Sequence, residues 1–359
     1  MIFKRQRSWI YSVLCITSLF IIERAAAQKS PDWRVKNRLQ LGYEFDSNIR
    51  ESASDSARKI ADTSLRFLFH SRASRVSPRT RIEINYKGGL QTYFGKAIEN
   101  KLINELDFTS GIKIQNWVAG LRGAGRLKVY LNDQLDYSTG SVEAYLRPPA
   151  IYHFQNEISF KLSGLSYQNF PSFNFRENQL SGSISRKLTS RLTGRVQMSI
   201  KSVFYDRIVL ISTVEQPEDF FEIKLQDDAY QLTFGLNYSK SFLININYTF
   251  QHNNSNSKVF DYNKHLFVLI FGMPLPKGVW LRGYGAAQIK DYFEQTLPIH
   301  LRDIDTERDE SNFFILDLSK DVNSSLNALL RFAYYNNESI IRSRFYSKSL
   351  LTLGFDYRF

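Results

Sequence analysis

The chain has one cysteine, Cys15, among its 359 residues. It lies in the first apolar run and follows Leu14 rather than a small residue, which argues against lipid attachment there. Beyond it, disulfides, thiolate metal sites and cysteine nucleophiles have no residue to use. Metal-site spacing is also missing: His70, His153, His252, His265 and His300 form no H-x-x-x-H or H-E-x-x-H pair. No G-x-S-x-G elbow and no P-loop occurs. An enzyme reading would need His265 or His300 to meet a loop serine and an acid, a triple that almost any chain this long offers. The sequence reads as that of a protein with no catalytic chemistry, cofactor or metal.

Long apolar runs are scarce as well. After the first residues, the longest candidate runs from Leu266 to Met273 before Pro274, under half of the about 20 residues that a helical membrane span needs. Helical periodicity is poor throughout. Yet 28 Phe, 20 Tyr and 4 Trp make 14% of the chain aromatic, while mean hydropathy is only −0.32. An aromatic-rich chain that is polar on average fits a transmembrane β-barrel, in which half of each strand faces lipid and half faces water.

The start supplies the compartment. Lys4, Arg5 and Arg7 precede an apolar stretch from Trp9 to Ile22, which closes on Ala25-Ala26-Ala27. A basic start, an apolar middle and an A-x-A site predict a secretory signal peptide, residues 1–27, cut before Gln28. The competing reading is an uncleaved anchor, for which the run is short. Residues 28–359 then form the one mature domain. Removal takes four bases (Lys4, Arg5, Arg7, Arg24) and one acid (Glu23), lowering the formal charge from +12 by three.

Alternation is the positive evidence. Leu192, Val196, Met198 and Ile200 share one parity, and Arg191, Thr193, Arg195, Gln197, Ser199 and Lys201 the other. Phe242, Ile244, Ile246, Tyr248 and Phe250 alternate as regularly with Asn245, Asn247, Thr249 and Gln251. The pattern predicts an all-β, antiparallel transmembrane barrel of about 16 strands, between 14 and 18. The expected spans are 33–48, 61–72, 80–94, 102–115, 117–131, 139–147, 153–168, 178–188, 191–205, 228–239, 242–252, 262–272, 278–291, 311–320, 324–336 and 345–359. "HLFVLIFG" and "NFFILDLSK" alternate worst. Short turns such as "QN", "LTS" and "SKS" alternate with longer links, among them "IRESASDSARKI", "DRIVLISTVEQPEDFFEIKLQD" and "FEQTLPIHLRDIDTERDE". Short periplasmic turns and longer outer loops place both termini in the periplasm. A soluble β-sandwich is the alternative.

With apolar residues toward lipid, the other parity enters the pore. That assigns to the lumen Arg34, Lys36, Arg38, Arg81, Lys87, Arg122, Arg126, Lys128, Arg195, Lys201, Arg282 and Lys290. Fewer acids share that parity, chiefly Glu44, Asp46, Glu83, Glu105, Asp107 and Asp356. Basic rings favour anions and concentrate them in a cleft. The alternative is a structural lumen in which these charges pair with each other. A barrel this wide leaves a channel rather than filling itself with side chains.

The ends carry a resemblance. "LGYEFDSNI" (Leu41 to Ile49) is similar to the G-x-x-Y-D-S-N entry of a loose group of bacterial barrels, with Phe45 in place of the tyrosine. The last stretch, with Asn337, Ser339, Tyr346 and a terminal Phe359, resembles their final hairpin. That group includes porins encoded with polysaccharide export systems and the barrels of surface-lipoprotein assembly modulators. The resemblance implies a porin-type bacterial outer-membrane barrel. Phe355, Tyr357 and Phe359 then resemble the C-terminal signal read by the barrel-assembly machinery. The chain departs from these relatives in lacking a periplasmic helical-repeat domain.

The expected function is a basic-lined pore for anionic or polar solutes, or for an exported polymer such as a polysaccharide. The alternative is a scaffold or sheath around a periplasmic or envelope partner protein in secretion, surface assembly or electron transfer. Asp303, Asp305, Glu307, Asp309 and Glu310 lack the glycine and spacing of a calcium loop. Arg72, Arg75, Arg79 and Arg81 sit at the first periplasmic turn, where an acidic partner would dock or water would solvate them. Outer-membrane lipid is the expected surroundings. Nucleic acid is an unexpected partner, because the bases are spread around a barrel.

Overall fold

Most strands alternate hydrophobic and polar residues and are rich in β-branched and aromatic side chains, so they are two-faced, and every strand must pair to satisfy its backbone. In the computed structural model, which describes residues 33–49, 59–131, 136–212, 220–293, 312–337 and 346–359, sixteen of them close into one antiparallel barrel. In chain order they are β1 (Trp33–Asp46), β2 (Asp62–Val76), β3 (Thr80–Tyr93), β4 (Lys101–Ile114), β5 (Trp117–Tyr130), β6 (Tyr137–Arg147), β7 (Phe154–Tyr167) and β8 (Phe175–Lys187). The second half comprises β9 (Leu192–Ser212), β10 (Phe220–Ser239), β11 (Leu243–Ser255), β12 (Tyr262–Leu275), β13 (Val279–Tyr292), β14 (Asn312–Asp321), β15 (Leu326–Asn337) and β16 (Tyr346–Arg358). Each strand pairs with its sequence neighbours, and β16 returns to β1 in the register Arg38↔Arg358 to Asp46↔Leu350. Beyond Arg358, Phe359 exchanges two backbone hydrogen bonds with Asn37, at 3.1 and 3.2 Å.

A typical strand of 14 residues runs about 46 Å, and tilted by about 40° it rises about 35 Å, enough to cross hydrocarbon about 30 Å thick. The concave side is identified by side chains that reach past one strand to the next but one. Tyr93 on β3 donates to Asp46 on β1 at 3.0 Å, and Arg122 on β5 donates to Glu157 on β7 at 2.8 Å. The opposite parity presents Leu41, Tyr43, Phe45, Leu121, Phe160, Met198, Phe234 and Leu353, all exposed. An outer wall this apolar is stable against hydrocarbon, not against water. Its few polar groups pair locally, as where Tyr86 donates to Asn104 at 2.8 Å.

Connections at one end are short, as between β4 and β5 or β10 and β11, and β1 begins and β16 ends there; longer links occupy the other end. One long loop expected from sequence is replaced by strand: "DRIVLISTVEQPEDFFEIKLQD" continues β9 to Ser212 and starts β10 at Phe220. Val209 and Leu225 are buried, and at a register shift between Lys224 and Gln226 three residues of β9, Tyr205 to Arg207, stand opposite Leu225 alone. The β-branched and aromatic residues of this stretch suit a hairpin, which its flanking acids and proline disguised. Residues 1–27, His300 and the acidic run from Asp303 to Glu310 lie outside the described residues.

Candidate functional site: the lumen

The inward parity divides the interior into three walls. From β1 to β7 it is charged. Glu83 pairs with both Arg72 (2.9 Å) and Arg81 (3.2 Å), and Glu105 with both Lys87 (3.2 Å) and Arg126 (2.8 Å). Glu157 receives Arg122 at 2.8 Å and Arg147 at 2.6 Å, while Arg122 also reaches Glu143 at 3.0 Å. The Arg122 guanidinium lies over the Tyr145 ring, 4.1 Å from its centroid. One acid serving two bases leaves positive charge in excess on this wall.

At the β1–β16 seam the acids of the pairs are buried. Arg66 donates to Glu44 at 2.5 Å, Lys348 meets Asp46 at 2.9 Å, and Arg38 pairs with Asp356. Glu44 also accepts from Gln91 (2.9 Å) and Thr352 (2.7 Å). These contacts tie β1, β2, β3 and β16 together where the barrel closes.

From β8 to β11 the inner wall is mostly uncharged and polar, with Glu177, Lys187, Arg195, Lys201 and Asp227 as its charged members. Ser181, Ser183, Gln197, Ser199, Gln231, Thr233, Thr249 and Gln251 bond to one another or to neighbours, for example Gln231 to Gln251 at 2.6 Å. From β12 to β15 the inward residues are largely apolar: Leu266, Val268, Ile270, Trp280, Tyr284, Phe313, Ile315 and Leu329 share the inner face. This third wall is why "HLFVLIFG" and "NFFILDLSK" alternate poorly: both of their faces are apolar.

All twelve basic residues named from sequence fall on the inner parity. Arg38, Arg81, Lys87, Arg122, Arg126 and Lys201 are in ion pairs, the last with Glu177 at 3.7 Å. Lys128 lies over the rings of Tyr130 and Tyr137, and Lys290 over Tyr262. Arg195 donates to Ser183 and Gln197, at 3.2 and 2.9 Å. Arg34, Lys36 and Arg282 have no carboxylate partner among the described residues. Sequence reasoning passed over Arg66, Arg147, Lys161, Glu143, Glu157, Asp317 and Arg331, though the inner parity of their strands would have found them.

Burial varies along the barrel axis. Toward the longer loops Glu44, Asp46, Gln251, Asn253 and Ala229 are at most 1% exposed. Toward the short turns Arg34, Lys36, Trp280 and Arg282 are open. Other inward residues on the turn side, Asp356, Asn327 and Ser319, are buried, so the open surface there is local to the β1 start and to β13. Of the C-terminal aromatics, Phe355 and Tyr357 face outward, and Tyr357 stacks on Phe359 with centroids 5.8 Å apart.

No protein-family model matches the chain, and no curated protein matches it. Solved structures similar to it include OccAB3 of Acinetobacter baumannii, at 9% identity and a TM-score of 0.42, covering 92% of this chain and 99% of the other. An anion-selective porin from Comamonas acidovorans is similar at 7% identity and a TM-score of 0.47, covering 91% and 99%. OprD of Pseudomonas aeruginosa is similar at 9% identity and a TM-score of 0.42, covering 92% and 95%.

Proposed function

We propose that the chain is an outer-membrane diffusion channel for small anionic or polar solutes, with both termini and the short turns in the periplasm. The observation that carries the reading is the imbalance on the β1–β7 wall, where shared acids leave Arg34, Lys36, Lys128 and Lys161 without a carboxylate partner among the described residues. A cation-rich wall in a closed barrel raises the local concentration of anions and speeds their entry. Transport is by diffusion, and the site holds no step of bond making. Phe355, Tyr357 and Phe359 serve as the edge presented to the barrel-assembly machinery, and lipid covers the outer wall.

Uptake into proteoliposomes tests the reading. Anionic solutes should enter faster than neutral or cationic solutes of equal size, and the difference should shrink as salt screens the wall. Equal rates for all charges would refute selectivity. No uptake at all would turn the reading to a barrel whose lumen is filled by an exported polymer or by a partner protein.

A further inference from the structure

The apolar wall contains a recess at its turn-side end. A cavity of about 400 Å³ is lined by Ile270, Trp280, Arg282, Tyr284, Ile315 and Asp317, together with Ser239 to Leu243 of the β10–β11 turn. Trp280, Tyr284 and Ile270 are 46%, 41% and 38% exposed. Aromatic and alkyl surface open to a water-filled lumen is unfavourable unless something covers it. Concave apolar surface with one or two placed polar groups is the usual form of a small-molecule site.

Its polar side chains are Arg282, Asp317, and Ser239, Lys240 and Ser241 of the turn, and Arg282 is the one set between the two aromatic rings. Trp280, Arg282 and Tyr284 alternate along β13, so all three project inward, with about 7 Å between successive side chains. The carboxylate opposite Arg282 in register is Asp317, but Arg331 holds it through two bonds of 2.6 and 2.9 Å. That fork uses both carboxylate oxygens, and no other described acid pairs with Arg282. A guanidinium with its donors open, set between two aromatic side chains and facing alkyl groups, matches a ligand with a flat or alkyl body and one acidic oxygen group.

We propose that this recess is a binding subsite for a small amphiphilic anion, its ring or chain laid on Trp280 and Tyr284 and its acidic group on Arg282. The proposal rests on the channel reading for how the ligand arrives, but binding itself needs no conduction. The apolar contacts hold the ligand body while the Arg282 fork fixes its orientation. Ile270 and Ile315 widen the apolar floor beyond what a sugar ring uses.

Trp33 and Trp117 face outward, leaving Trp280 as the inward reporter among the described tryptophans. The refolded chain in non-ionic detergent is titrated with sodium 3-phenylpropionate while tryptophan emission is followed, with propionate and 3-phenylpropan-1-ol as comparisons. Saturable change with phenylpropionate is expected, at least tenfold tighter than with either comparison. Arg282→Gln should weaken it at least tenfold, and because Arg282 has no ion pair the variant should fold as the parent does. Calorimetry on Trp280→Ala, without the optical reporter, should show a similar loss. Equal affinity for the alcohol, or an unchanged Arg282→Gln, would overturn the proposal. A barrel silent in uptake but binding phenylpropionate would sink the channel and keep the subsite. A conducting barrel without binding would do the reverse.

Discussion

Glu44 is the best place to perturb the closure of the barrel. Its side chain is 2% exposed and accepts from Arg66, Gln91 and Thr352, joining four strands at the β1–β16 seam. Glu44→Ala removes three acceptor contacts and leaves the Arg66 charge partly buried. Removing one partner of a buried pair costs about 3–5 kcal/mol. Arg66 is 24% exposed and recovers some hydration, so the low end, about 3 kcal/mol, is expected. Glu44→Gln keeps the shape but sets an amide donor near the guanidinium, and should cost about 2 kcal/mol. Urea unfolding in phospholipid vesicles, followed by tryptophan emission, reads the loss. With a slope of about 3 kcal/mol per molar, Glu44→Ala shifts the midpoint by about 1 M. Buried pairs are screened little, so the loss should persist at about 1 M salt. A loss under about 0.5 kcal/mol, or one that vanishes in salt, would show that the seam charges are solvated and contribute little.

A Cβ on Gly354 would lie 2.5 Å from the Leu41 carbonyl oxygen, a backbone atom across the same seam. Gly354→Ala should therefore cost about 1–3 kcal/mol by urea unfolding, whereas Gly182→Ala, with nothing within 4 Å, should cost little. Glu157→Gln releases Arg122 and Arg147 from their shared acceptor, so anion preference in a bilayer should rise; a fall would contradict the placement of this pair on the conducting wall. Phe359→Ala removes the stack on Tyr357 but keeps the backbone bonds to Asn37. Refolded stability should barely change while the amount assembled in cells drops, and a matching loss in both would make the residue structural rather than a recognition signal.

The fold was legible because a membrane barrel imposes one rule on every strand: lipid outside forces apolar residues at alternate positions. That rule located β1, β3, β5 and β13 to within two residues at each end. It failed for β9 and β10 beyond the wall, where no lipid enforces alternation and where acids and Pro217 suggested a loop. β12 and β14 alternate weakly because inner residues such as Val268 and Ile315 are as apolar as the outer ones, yet the rule still located β14 to within one residue at each end and β12 at its first residue. Parity also assigned the lumen-facing bases, but not their partners. Whether Arg122 is open or shared between Glu143 and Glu157 depends on register across three strands, which no single strand encodes.

The most direct measurement of selectivity is the reversal potential of single channels under a KCl gradient. Neutralising Arg122 or Arg126 would disturb ion pairs, so the informative variant is Arg34→Gln, Lys36→Gln and Lys128→Gln combined, at bases without a described carboxylate partner. The parent should reverse on the chloride side of zero, and the triple variant should move toward zero with its conductance steps intact. A parent that reverses on the potassium side, or a triple variant indistinguishable from it, would contradict a lumen whose excess positive charge selects its solutes.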